Sequence, residues 1–167
     1  MAVGTMEELF VDELKDLYSA EKQITKALPK MAKAASTADL RAAFESHLKE
    51  TEGQIQRLEQ AFEILSKSPK GKTCAGMKGL LEEGSEVMKE AAKGAVRDAA
   101  MISAAQRVEH YEMAGYGAVI AYAKLLGQPE IESLLNETLA QEKAADQKLT
   151  GLSKGINSEA KRSSKAA

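Results

Sequence analysis

Phe10, Leu14, Leu17, Glu21, Ile24, Leu28, Met31 and Ala35 follow one another in alternating steps of four and three. That spacing marks the inward stripe of a packed helix. Every position on the stripe is apolar except Glu21. A second stripe runs through Leu40, Phe44, His47, Thr51, Leu58, Phe62 and Leu65. A third runs through Ile102, Ala105, Glu109, Glu112, Tyr116, Val119, Ala123 and Leu126, and a fourth through Ile131, Leu135, Thr138, Glu142, Ala145, Leu149, Leu152 and Ile156. The pattern predicts four long helices, each with an acid or a histidine set into its buried seam. A buried carboxylate without a partner costs several kcal/mol, so the interruptions need a chemical reason.

Boundary signals place the elements. Thr5 with Glu8 reads as a capping box that starts the first helix. It runs to Ala35, with a bend expected at Pro29, which removes one backbone donor. The second helix starts at Ser36 or Thr37 and stops before Ser68-Pro69. The stretch PKGKTCAG is a loop, and a short amphipathic helix from Met77 to Lys93 follows, ended by Gly94. The third long helix spans Val96 to Leu126. The fourth opens on Pro129, which suits a first helical position, and ends at Gly155. Two short turns make two antiparallel hairpins, and the long link between them returns the chain along the bundle. The expected fold is all-α: a ferritin-like four-helix bundle over residues 1–155, whose long crossover carries a short extra helix. Residues 156–167 have little apolar surface and are expected to be a mobile tail. Gly115 and Gly117 each cost the third helix ~1 kcal/mol and point to close helix approach or access to a site.

Composition narrows the function. Lys+Arg total 23 against Asp+Glu 25, a net charge of −2, which lacks the basic footprint of a nucleic-acid binder. One cysteine, Cys74, rules out an intrachain disulfide and any thiolate cluster; a free thiol on a surface loop is the expectation. No signal-peptide pattern stands at the N-terminus, and no apolar run reaches the ~18 residues of a membrane span. A cytoplasmic location and no membrane partner are expected by default.

If the polar seam residues form one site, they must lie at one height. From the turn near residue 36, Glu21 lies ~23 Å along its helix, and His47 and Glu50 lie ~17–21 Å along theirs, at 1.5 Å per residue. From the turn near Gly127, Glu112 and Glu142 both lie at ~23 Å and Glu109 at ~27 Å. Acids placed for solubility have no reason to agree. Glu50 and Asp146 lie one turn beyond His47 and Glu142, and Glu109 and Glu112 are also a turn apart. The candidate ligands are therefore Glu21, Glu50, Glu109, Glu112 and Glu142, with His47 and Asp146 as ligands or as groups that orient ligands. His110 points about 100° away from Glu109 and reads as structural or exposed. Tyr18, one turn before Glu21, is a candidate donor to a ligand carboxylate or a bundle-edge tyrosine. Hard oxygen donors with a little nitrogen suit iron and manganese. Five acids exceed the charge of one divalent ion, so two iron ions, or manganese, are expected. The usual Glu-x-x-His pairs of such bundles are missing: Gly53 follows Glu50 by three, and Ala145 follows Glu142 by three.

The segments Tyr18-Ser-Ala-Glu21-Lys-Gln23, His47-Leu-Lys-Glu50-Thr51, Val108-Glu109-His-Tyr-Glu112 with Tyr116-Gly117, and Glu142-Lys-Ala-Ala-Asp146 together resemble the bacterial YciF/YciE family of ferritin-like proteins. The likeness spans about Met6 to Leu152. It implies a rubrerythrin-like bundle, a homodimer, a di-metal site and a link to bacterial stress responses, but no defined reaction. Two functions compete. One is a di-iron redox protein acting on peroxide or oxygen with an external electron donor. The other is a non-enzymatic dimeric scaffold whose metals only neutralise buried acids.

Overall fold

A computed structural model describes residues 3–163. Five helices follow in order: α1 (Met6–Ala34), α2 (Ala38–Ile64), α3 (Ala75–Glu90), α4 (Ala95–Leu125) and α5 (Pro129–Ser163). Among the described residues there is no strand. None of the helices is long and apolar enough to cross a membrane.

The start of α1 is fixed as its sequence requires. The Thr5 hydroxyl accepts from the Glu8 amide, and the Glu8 carboxylate accepts from the Thr5 amide. Pro29 sits inside α1, which continues to Ala34. The crossover helix spans Ala75–Glu90 rather than Met77 to Lys93, so Gly94 does not end it. Gly94 instead precedes α4 as its N-cap, at φ 103°, a conformation glycine adopts without a Cβ clash. At the far end of α4, Gly127 takes φ 66°, and the Gln128 amide returns to the Ala123 carbonyl.

The fourth long helix corrects the expected boundary. It runs past Gly155 to Ser163, and Ile156 is buried against the core. Ile156 continues the apolar stripe of α5, so the bundle extends into the segment expected to be a tail. The rest of that segment, 164–167, lies outside the described residues.

Short links fold α1 onto α2 and α4 onto α5. α1 also packs on α4, and α2 on α5, which closes a four-membered ring of helices. The crossover runs the length of the bundle, and α3 lies outside it against α1 and α4. Asp98 shows where the returning chain docks: its two carboxylate oxygens accept from the Ser36 and Thr37 amides at 2.8 and 2.9 Å. The start of α4 is thereby tied to the α1–α2 turn, and α1 and α4 run antiparallel. Gly115 permits their closeness, since a Cβ there would meet Leu17 Cδ2 at 2.8 Å. Gly117 has open space beside it.

Apolar side chains form two separate cores along the bundle axis. One holds Ile24, Met31, Leu40, Phe44, Met101, Ile102 and Leu149. The other holds Phe10, Leu14, Leu58, Phe62, Val119, Ile131 and Leu135. Between them lies a layer of polar side chains.

Candidate metal centre

Each helix of the ring sends polar groups into that layer. α1 supplies Glu21, α2 supplies His47, Thr51 and Gln54, α4 supplies Glu109 and Glu112, and α5 supplies Thr138 and Glu142. All are buried. Heptad-like spacing puts them on the seam, and the antiparallel hairpins bring them to one level.

His47, Glu109, Glu112 and Glu142 each present one nitrogen or oxygen within 4.8 Å of the others. His47 Nε2 stands 3.3 Å from Glu109 Oε1 and 3.9 Å from Glu142 Oε2. Its other nitrogen, Nδ1, lies 3.3 Å from Glu50 Oε2. A proton on Nδ1, shared with Glu50, leaves the Nε2 lone pair facing the carboxylates. That contact holds the Glu50 carboxyl below its ordinary range.

Burial, with the neighbouring acids, pushes Glu21, Glu109 and Glu112 well above the ordinary carboxylate range. For Glu21 the added charge is that of Glu142, and for Glu112 first that of Glu21. Glu21 also accepts a hydrogen bond from the buried Tyr116 hydroxyl at 2.5 Å, which opposes the rise. Glu142 accepts one from the Gln54 side-chain amide.

The donor set passes a direct test of fit to a cation. Glu21 Oε2, Glu109 Oε2, both Glu112 oxygens, Glu142 Oε2 and His47 Nε2 are buried with no hydrogen-bond partner among the described residues. Such orphaned acceptors cost about 1–3 kcal/mol each, more when charged. Divalent cations satisfy them through oxygen and imidazole, the ligands that iron and manganese accept.

Comparison with known proteins places this arrangement. Residues 5–161 match the family described as Domain of unknown function (DUF892). The chain is 50% identical to Protein YciF of Escherichia coli K12 over 153 residues, 91% of this chain and 92% of that one.

The chain belongs to the DUF892 family.

Solved structures agree with that membership. The E. coli stress protein YciF superposes with a TM-score of 0.89 at 48% identity, over 92% of this chain and 98% of its own. YcfI of Rhodopseudomonas palustris gives 0.85 at 47% identity, over 89% and 94%. A protein of Xanthomonas campestris, 22% identical, shares the fold with a TM-score of 0.71 over 93% and 95%. The DUF892 chain is thus all-helical, with the YciF-like, ferritin-like arrangement the seam pattern predicts.

Not every residue singled out from the sequence enters the polar layer. Glu21, Glu109, Glu112, Glu142 and His47 do. Glu50 stands outside it, its side chain 40% exposed, beside His47. Asp146 accepts from Gln106 Nε2 at 3.0 Å and lies 3.4 Å from the exposed His110. Tyr18 turns outward and donates to Glu59 at 2.9 Å. Its role falls to Tyr116, which sequence reasoning took as an apolar seam position. Gln54 stands on the stripe, three residues after Thr51 and four before Leu58, but a neutral amide does not stand out there as an acid or a histidine does. Cys74 is also corrected: it is buried, not a surface thiol. It caps α3 by accepting from the Met77 amide, and its sulfur lies 3.0 Å from the Tyr111 hydroxyl.

Proposed function

We propose that the buried glutamates and His47 hold two metal ions, iron or manganese, and that the loaded protein reacts with peroxide or oxygen under stress. The convergence of four buried donors within 4.8 Å, with their orphaned oxygens, carries this reading. The description of the E. coli relative as a stress protein supports the physiological setting. When bound, a pair of iron ions supplies electrons to a small oxidant. The chain's own residues do the rest. Glu109, Glu112, Glu142 and His47 would hold the ions, with the buried Glu21 as a further donor. Glu50 orients the imidazole, Tyr116 holds Glu21 in place, and the two apolar cores exclude bulk water.

Elemental analysis of anaerobically purified protein tests the proposal. The expected result is close to two metal ions per chain, falling to none in Glu109→Ala/Glu142→Ala. Wild-type protein that takes up neither ferrous nor manganous ion would overturn it. Ferrous protein mixed anaerobically with peroxide should consume the oxidant and change its visible absorbance.

The scaffold reading rests on one observation: the single cysteine is buried, so the chain has no thiolate cluster to feed electrons inward. It predicts a large loss of thermal stability on chelation and no peroxide consumption. Sustained turnover requires an external electron donor, and we propose a homodimer as the working unit, to be sized by light scattering.

A further inference from the structure

An open space lies under the crossover helix. A cavity of about 260 Å³ runs between α3, α1 and α4, walled by Leu80, Leu81 and Met88 on α3. A second, of about 100 Å³, reaches between the helices of the ring to His47 and Glu109, with Glu50 and Lys148 also on its wall. The two share Ala27, Met31, Leu81, Ala105 and Val108 as walls. Leu81 belongs to α3, outside the ring, yet it lines the interior cavity. The two spaces therefore adjoin between α1 and α4, where the side chains of Ala27 and Ala105 are small.

The passage is polar at its ends and apolar between. Lys26 and Lys30 stand at its outer rim, exposed and without an ion pair among the described residues. No Asp or Glu lines the outer cavity; its other polar groups, Gln23 and Ser85, are neutral. Together the two spaces reach the lower end of the ~300–1,000 Å³ usual for small-molecule sites. A slot of apolar walls with cations at its mouth complements one kind of molecule: a flexible apolar chain with one anionic head.

We propose that the passage beneath α3 binds a free linear amphiphile of the fatty-acid class, its anionic head on Lys26 and Lys30 and its chain passing between Ala27 and Ala105 toward His47. This site stands on its own walls and charges, and does not depend on the metal reading.

Titration of metal-free protein with dodecanoate, followed by calorimetry, tests it. Saturable binding of one dodecanoate per chain is expected. Lys26→Glu/Lys30→Glu, which changes only exposed residues, should weaken it at least tenfold. Dodecanol should bind more weakly than dodecanoate and be indifferent to that double change. Ala105→Phe should abolish binding of both, with circular dichroism confirming the fold. Metal content of the lysine variant should equal that of the wild type, so a failure here and a failure of the metal proposal are separable. Absence of saturable binding up to millimolar dodecanoate would overturn the inference. So would equal affinity in the lysine variant, or association only with anionic phospholipid vesicles and not with the free anion.

Discussion

Glu112 is fully buried, and neither of its oxygens has a hydrogen-bond partner among the described residues. It is tolerated because something else in the layer, a proton or a cation, neutralises it. The two choices give opposite signs on removal. Glu112→Leu keeps the volume and deletes the charge, so metal-free protein should gain about 1–3 kcal/mol of stability. The same variant should lose bound metal. Parallel chelated and loaded melts check both halves, and an equal change in the two would contradict the account. Tyr116→Phe runs the other way. It strips a buried carboxylate of its donor and should cost about 1–3 kcal/mol in denaturant unfolding. The acids were legible in the sequence because a charge on an apolar stripe is conspicuous. Tyr116 was not, since a phenol satisfies the stripe with its ring and hides the use of its hydroxyl. Tyr18 stayed open between two readings for the complementary reason: helical spacing gives its distance from Glu21 but not the Glu59 acceptor on the neighbouring helix.

Among the elements, α4 is the one the others are measured from. It meets α1, α3 and α5, and Asp98 anchors its first turn to the start of α2. Asp98→Ala leaves the Ser36 and Thr37 amides without that acceptor. It should cost about 1.5–3 kcal/mol, as expected for hydrogen bonds to a charged group. The two helical glycines of α4 separate propensity from packing. Gly117→Ala meets open space and should stabilise by about 0.5–1 kcal/mol. Gly115→Ala should gain less or destabilise, because the buried Leu17 side chain must shift. Equal effects in thermal melts would show that helix contact at Gly115 is unimportant. Four helices and their pairing followed from periodicity and from turn length alone. The end of α5 did not, because beyond Ile156 the polar residues form a helix that no local signal stops. The junction at Gly94 was misassigned because a glycine closes one helix and opens another with the same freedom of backbone.

For the molecule as a whole, the acid layer makes stability a function of both metal and pH. Glu21, Glu109 and Glu112 hold protons in the folded chain to higher pH than in the unfolded chain. Between the ordinary carboxylate range and their raised values the native state thus binds more protons. Metal-free protein should therefore become more stable as pH falls through those raised values toward the ordinary carboxylate range, and less stable as pH rises back through them. Loaded protein should show the reverse on acidification, since protons compete with cations for the same oxygens. Urea midpoints across pH, with and without chelator, read the crossing directly; parallel trends would refute it. The sulfur at the head of α3 adds an independent clock. Being solitary and shielded beneath the crossover, it meets a maleimide only when that arm detaches from the barrel of helices. Its alkylation rate thus counts those departures, and anything lodged beneath the arm should slow the count.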